Sequence, residues 1–310
     1  MELRQSPDYA RYMRSIGWQV EESDQQVLAY VKRIFPFMSV MKIQRASVKN
    51  IEPAWVKRVA QKHEVWGCYI EPLETETEFT HELKKAWNTL SKSLRMTTTK
   101  NAMLPTATRQ LDLKKNENEL LAGMKEKTRY NVGLAQRRGL HTAMLSAKTV
   151  SDSPLLFTSV ANLIEANAKR ANYWGVPKNW LKAQLNAFGD KGVVMIVTDA
   201  NGASELEKTP EVTDPNRWQT VACYWLTDDG IYYGPNGSTA LGRKNMAPTL
   251  AVVEGMRLGK QKKKKYLDFD GIYDERAPNK RWLGYSRFKA GFGGYEVKYG
   301  LSGYSWFPCW

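Results

Sequence analysis

The residues best suited to chemistry lie in the run RFKAGFGG, where Phe288 and Lys289 are followed by Gly291, Gly293 and Gly294. An ammonium held at a developing oxyanion is worth ~2.7–4 kcal/mol, the scale of one oxyanion-hole donor. Glycines beside it let the backbone approach a ligand closely. The competing reading makes Lys289 one more surface lysine. Glu71, at the end of the run VWGCYI, is a candidate acceptor for the proton of an attacking amine. A carboxylate with its ordinary pKa of ~4.3 is a poor base for an ammonium unless burial raises it. A phosphate on the substrate is an alternative base, and a solvated strand-end glutamate is the reading without function. Asp268, Asp270, Asp274 and Glu275 crowd LDFDGIYDER, which has the look of a calcium loop but lacks the bidentate glutamate at its twelfth position. No metal is expected there.

Other chemistries are excluded by what is scattered or missing. Three histidines (His63, His81, His141) and three cysteines (Cys68, Cys223, Cys309) lie far apart. They suit neither a zinc site, a disulfide framework nor a Ser-His or Cys-His pair, and they fit a reducing compartment. No GxSxG elbow, P-loop or GxGxxG run is present. The segment RKNMA at 243–247 precedes a helix, where a CoA-binding loop would place glycines to let backbone N–H groups hold pyrophosphate. Met246 stands there instead, so no cofactor is expected.

The formal net charge of +14 on 310 residues points to a polyanionic partner. Positive residues cluster at 125–138 and 257–265, and Lys262–Lys265 are the densest run. The end of a helix is reason enough for one or two of these lysines. It does not account for four in a row, which repel one another unless an anion screens them. Neither a signal segment nor an apolar run of membrane-spanning length is apparent. A cytoplasmic protein is expected, at most peripheral at the membrane face.

These residues need elements to hold them. Ser6-Pro7 and Ser153-Pro154 read as helix caps, and Pro53 and Pro248 open two further helices. Phe79, Leu83, Trp87, Leu90 and Leu94 form a helical stripe. A long helix is predicted over 117–138, ended by Gly139, and another from Pro248 to Leu258, stopped by Gly259. Strands are predicted at 65–70, 109–113, 192–197, 219–226, 230–234 and 266–273. The stretch 201–218, polar and proline-containing, reads as a long mobile hairpin loop. Helices alternating with strands in both halves argue for an α/β (α+β) chain of two mixed domains.

Several segments together resemble the Fem family, the aminoacyl-tRNA-dependent enzymes that build peptidoglycan cross-bridges. They are SPDYARYMRSIGW near the start, KTRYNVGLAQRRGL at 127–140, YYGPNGS at 232–238, LDFDGIYDER at 267–276 and RFKAGFGGYEVKYG at 287–300. Their order and spacing cover nearly the whole chain. The resemblance implies two tandem GNAT-like domains without a long coiled-coil arm. The first would span 1–145, with a tail at 301–310 returning to it, and the second 146–300. It also implies aminoacyl-tRNA as donor, a lipid-linked or UDP-linked muramoyl peptide as acceptor, and neither metal nor cofactor. The activity would be interpeptide bridge formation in cell-wall biogenesis.

By position, Phe288 and Lys289 match the family's Phe-Lys pair near the catalytic centre, and Glu71 an acidic strand-end residue. Lys127, Arg129 and Asn131 would contact phosphate or position the interdomain groove. Tyr232 and Tyr233 would line the acceptor cleft, although strand neighbours face opposite ways and one of the two must pack inward. Lys262, Lys263, Lys264 and Lys265 would grip tRNA phosphates without reading sequence. NYWGVPKNW departs from the family, with Val176 or Pro177 where an arginine that holds diphosphate is expected. The rival readings are a GNAT-like N-acyltransferase with a small-molecule acyl donor and a non-catalytic tRNA-binding protein.

Overall fold

The computed structural model describes residues 1–99, 102–173, 175–210 and 213–307. The chain forms two compact units. The first contains Glu2–Thr108, Gly271–Lys280 and the segment from Glu296 onward; the second contains Met1, Arg109–Asp270 and Arg281–Tyr295. The division falls at Thr108, not near residue 145 as expected from sequence. The reason is pairing: strand Leu140–Ser146 joins strand Gly192–Asp199 residue for residue, and helix Glu126–Arg137 supplies Val132 and Ala135 to the core of the second unit.

Thirteen named strands make two sheets. They are β1 (Gln19–Glu22), β2 (Leu28–Phe35), β3 (Met38–Ala46), β4 (Val65–Pro72), β5 (Thr97–Thr99), β6 (Ala107–Asp112), β7 (Leu140–Ser146), β8 (Gly192–Asp199), β9 (Thr220–Leu226), β10 (Gly230–Ser238), β11 (Tyr266–Asp268), β12 (Tyr295–Lys298) and β13 (Ser302–Trp306). One sheet has the order β1-β2-β3-β4-β13-β5 and the other β12-β6-β11-β10-β9-β8-β7. Each sheet contains a parallel pair, β3 with β4 and β10 with β11. The β3–β4 connection carries helix Pro53–Lys62, and the β10–β11 connection carries the short helix Ala240–Lys244 and then Ala247–Gln261. A parallel pair needs such a crossover. The halves therefore share a plan that their sequences do not reveal.

The helix starts follow from the caps. Ser6 accepts from Tyr9 N at 3.2 Å and Ser153 from Leu156 N at 3.3 Å, each with proline at the first helical position. Three expectations are corrected. The predicted helix over 117–138 is two, Glu117–Ala122 and Glu126–Arg137, parted at Gly123. The helix from Ala247 runs past Gly259 to Gln261. Gly259 is there for closeness, since a Cβ would lie 2.5 Å from Leu113 and 2.8 Å from Ile231.

The third concerns the predicted loop at 201–218, which contains helix Ala200–Lys208; Glu211 and Val212 fall outside the described residues. Asp199 caps this helix through Gly202 N at 2.9 Å, and Arg217 ties Asp199 to Glu205. Ala203 and Leu206 are its buried face. Between 146 and 192 the described residues form helices Ala147–Asp152, Pro154–Ala171 and Lys178–Phe188, with no long arm among them.

Helix Ala247–Gln261 packs closely on β9. A Cβ on Gly255 would stand 2.3 Å from the ring of Tyr224, which is fully buried and fixed by a hydrogen bond from its hydroxyl to the Ala251 carbonyl at 2.9 Å. Gly255→Ala is expected to lose ~1–3 kcal/mol by overpacking. Gly284→Ala, in a helix with nothing near its Cβ, gains up to about 1 kcal/mol from helix propensity alone. Urea midpoints at constant slope check both. Equal stability of Gly255→Ala and the parent chain would mean that Tyr224 is not held.

Candidate active site

Lys289 lies on the helix Leu283–Ala290 of the second unit and is only 8% exposed, so it is not a surface lysine. Phe288 is half-buried and meets Phe292 edge-on at 5.1 Å, and Phe292 in turn lies 5.7 Å from Phe269. These rings form an apolar wall along the segment that carries Lys289. The glycines that follow serve the protein's own packing. A Cβ on Gly293 would lie 2.3 Å from the Gly123 carbonyl oxygen, and one on Gly294 2.1 Å from that of Gln110. Both take left-handed angles, φ 79° and 71°. Gly291 meets Thr128 as closely, and its carbonyl accepts from Lys125 N at 2.9 Å. The expectation that these glycines admit a ligand is corrected accordingly: they let the Lys289 segment dock against β6 and the start of helix Glu126–Arg137.

LDFDGIYDER approaches Lys289 from β11. Asp268, 3% exposed, accepts from Gln110 Nε2 at 2.9 Å and from the backbone N of Asp270 at 2.7 Å. Tyr295 Oη donates to Gln110 Oε1 at 3.1 Å and holds the amide in place. Asp270 turns the chain with φ 55°. Burial pushes the Lys289 pKa down to about 8, partly offset by the carboxylates of Asp270 and Asp268. Lys289 is thus an ammonium at neutral pH that releases its proton more readily than an ordinary lysine. In the first unit, Asp274 is committed to Thr106 Oγ1 at 2.6 Å and to Arg276 Nε at 2.9 Å. Among the described residues no group of His, Cys, Asp or Glu is placed to hold a metal ion.

The other predicted residues divide. Glu71, in the first unit, is 1% exposed and accepts from Gln44 Nε2 at 2.9 Å and Leu104 N at 2.7 Å. The solvated strand-end reading is excluded. Tyr232 and Tyr233 are both buried, on opposite faces of β10. Tyr233 packs against Tyr224 and Phe269 inside the core, and Tyr232 Oη lies 2.9 Å from Tyr266 Oη. Tyr233 is therefore a core residue, not a cleft wall. Arg129 donates to the carbonyls of Ala122 and Met124, closing the preceding helix. Lys127 is exposed and Asn131 half-buried on the same helix. Lys265 pairs with Asp229 at 2.6 Å and Lys264 Nζ donates to the Asp228 carbonyl at 3.3 Å, so two of the four lysines have partners in the chain. Met246 takes a left-handed φ of 64°, a glycine-like conformation, and packs against the second core.

Sequence reading missed three features. Lys42, 9% exposed, lies 4.6 Å from the ring centroid of Trp18; burial lowers its pKa to about 8, against the opposing charge of Glu71. Tyr285, one turn before Lys289, buries its hydroxyl and meets Tyr173 edge-on at 5.3 Å. The chain Arg170–Asn167–Asn236 leads to Ser238, whose carbonyl accepts from Arg243 at 2.6 Å. Among the described residues neither guanidinium meets a carboxylate. Burial and the Arg170 charge both lower the pKa of Arg243. Only the spacing of Tyr285 and Lys289, four apart on one helix, was visible in the sequence.

This geometry sits in a tandem GNAT-like fold. No family profile and no curated protein matches the chain in sequence. Among solved structures, FemX superposes with a TM-score of 0.77 at 14% identity, over 99% of this chain and 92% of that one. The C-terminal domain of a putative lysylphosphatidylglycerol synthetase from Agrobacterium fabrum gives 0.62 at 10% identity, over 96% and 87%. A tandem GNAT protein from the clavulanic acid biosynthesis pathway gives 0.53 at 10%, over 91% and 79%. These likenesses define the fold.

The folded pKa of Lys289, about 8, lies below the ~10.4 of an unfolded lysine. Between the two values the unfolded chain binds the extra proton, so stability rises with pH; the penalty is full below pH 8 and gone above ~10.4. The stability of the parent chain minus that of Lys289→Met is expected to climb by roughly 2 kcal/mol from pH 8 to 10. Denaturant titrations at several pH values test this, and a flat difference would place the ammonium in water.

Proposed function

We propose that this chain is an aminoacyltransferase that moves an amino acid from aminoacyl-tRNA to a side-chain amine of a peptidoglycan precursor. The observation that carries the reading is a buried lysine faced by the carboxylates of the segment that precedes its helix. LDFDGIYDER and RFKAGFGG come together around a buried ammonium in a chain that superposes on FemX end to end. Such an ammonium suits an ester carbonyl on which negative charge develops. The acceptor amine forms the C–N bond, the ester C–O bond breaks, and the ribose hydroxyl leaves with a proton that a lysine of pKa about 8 is able to supply. A substrate phosphate takes the proton of the attacking amine. Holding donor and acceptor together supplies much of the rate, since oriented reactants reach effective molarities of ~10⁵–10⁸ M.

A second reading has its own support. The likeness to lysylphosphatidylglycerol synthetase favours transfer of the amino acid to a lipid headgroup by the same aminoacyl chemistry. The small-molecule acyl donor is disfavoured by Met246, whose side chain fills the place of a phosphate-loop glycine.

Mixed charged tRNA offered with lipid-linked precursor, UDP-linked precursor and phosphatidylglycerol, in parallel with acyl-CoA, decides among these by mass spectrometry of the products. Product from acyl-CoA alone, or from no donor, would end the proposal. Lys289→Ala is expected to keep the fold and slow transfer by roughly 10²-fold or more. Near-parent turnover at saturating substrate removes Lys289 from the mechanism. For tRNA, Lys262 and Lys263 are the lysines of the run whose side chains have no partner among the described residues. Lys262→Gln with Lys263→Gln should raise KM for aminoacyl-tRNA alone and lower the salt slope of binding by up to ~2 phosphate contacts. A rise in the acceptor's KM instead would assign the run to the acceptor.

A further inference from the structure

The end of the first sheet where β2 turns into β3 carries an uncovered apolar surface. All residues from Arg33 to Phe37 are exposed, with Ile34 at 50%, Phe35 at 58% and Phe37 at 71%. Turns are ordinarily built from Gly, Asn, Asp, Ser and Pro. Three large apolar side chains at one tip gain nothing from water, and no packing among the described residues accounts for them. The same end holds two tryptophans. Trp66 Nε1 donates to the Phe37 carbonyl at 2.9 Å, and the Trp66 ring stands edge-on to Trp306 at 5.8 Å; Trp306 is itself 52% exposed.

Cations border this aromatic end. Ser305 donates to the Leu94 carbonyl, which seats the last turn of helix His81–Leu94, with exposed Lys92 and Arg95, on the strand that carries Trp306. Arg33 pairs with Glu64 at 2.8 Å, whereas Lys92 and Arg95 form no ion pair among the described residues. An apolar tip, tryptophans behind it and unneutralised cations around them is the arrangement that suits a bilayer interface, where indole rings settle at headgroup level and basic residues meet anionic lipid. The net charge of +14 adds to the attraction. A protruding tip, unlike a flat or grooved face, offers another protein little area to match.

We propose that the β2–β3 tip inserts Ile34, Phe35 and Phe37 into the interface of a membrane containing anionic lipid, with Trp66 and Trp306 at headgroup level and Lys92 and Arg95 on lipid phosphates. This would bring the protein to a lipid-borne acceptor. Binding is measured without tRNA or acceptor, so it stands or fails separately from the transfer reading.

The test is co-sedimentation of the full chain with sucrose-loaded vesicles of phosphatidylserine in phosphatidylcholine, against phosphatidylcholine alone. The parent chain is expected to sediment with the anionic vesicles. Phe35→Ser with Phe37→Ser should lower the partition coefficient about tenfold or more, as loss of two buried rings requires. Lys92→Gln with Arg95→Gln should weaken binding and flatten its salt dependence. Both variants should keep the parent melting temperature. Absence of vesicle binding by the parent chain, or parent-like binding by the Phe35/Phe37 variant, overturns the proposal. So does self-association of the parent chain in sedimentation velocity that the same variant abolishes, which would make the tip a protein contact.

Discussion

The second unit is organised around a charge that has been taken out of water. Moving an ammonium into an apolar surrounding costs several kcal/mol unless carboxylates and dipoles meet it. Asp268 and Asp270 meet it here, and Asp268 is itself oriented by Gln110 and the Asp270 amide. The glycines at 293 and 294 allow the supporting segment to press on the carbonyls of Gly123 and Gln110. Remove that closeness and Lys289 would swing into solvent, recover its ordinary proton affinity and lose its preorganisation. The aromatic wall of Phe288, Phe292 and Phe269 keeps the local dielectric low, which is what makes one lysine electrostatically effective.

The two parallel pairs show how one plan is put to different uses. In each unit, a strand, a helix and a second strand form the crossover, and the second strand ends near an acidic residue, Glu71 after β4's apolar run and Asp268 at the end of β11. Glu71 is held by a side-chain amide and a backbone N–H, and its charge opposes the burial that lowers the Lys42 pKa. Asp268 is likewise held by an amide and a backbone N–H. The halves repeat the way a carboxylate is fixed without repeating sequence.

Much of the fold was legible because its signals are local. Ser-Pro caps, the Phe79–Leu94 stripe and the strands from β8 to β10 are written in spacings of a few residues. Strands β1 to β3 were not anticipated, because KRIFPFMSVMKIQR interleaves cations with apolar residues on a face that is only partly solvated. Helix Ala200–Lys208 was hidden by Asn201-Gly202, and its stability rests on Arg217, which lies beyond the helix in sequence. At the candidate site, residue types singled out Lys289, which the structure buries. They could not separate Tyr233 in the core from a cleft tyrosine, nor reveal that Arg129 is spent on carbonyl oxygens, since both depend on three-dimensional neighbours.

Strand β13 lies between β4 and β5, and Ser305 reaches Leu94 across 211 residues of chain. During synthesis the second unit's segments emerge while the first sheet still lacks an inner strand. Until β13 arrives, β4 presents an open edge of unpaired amides and carbonyls, a template for pairing with other chains. Closing so long a loop adds little to the equilibrium cost but much to the search time. The first unit is therefore completed only after the second unit's segments have been made, and a nascent chain paused before β13 would hold out an incomplete sheet that invites chaperones or aggregation.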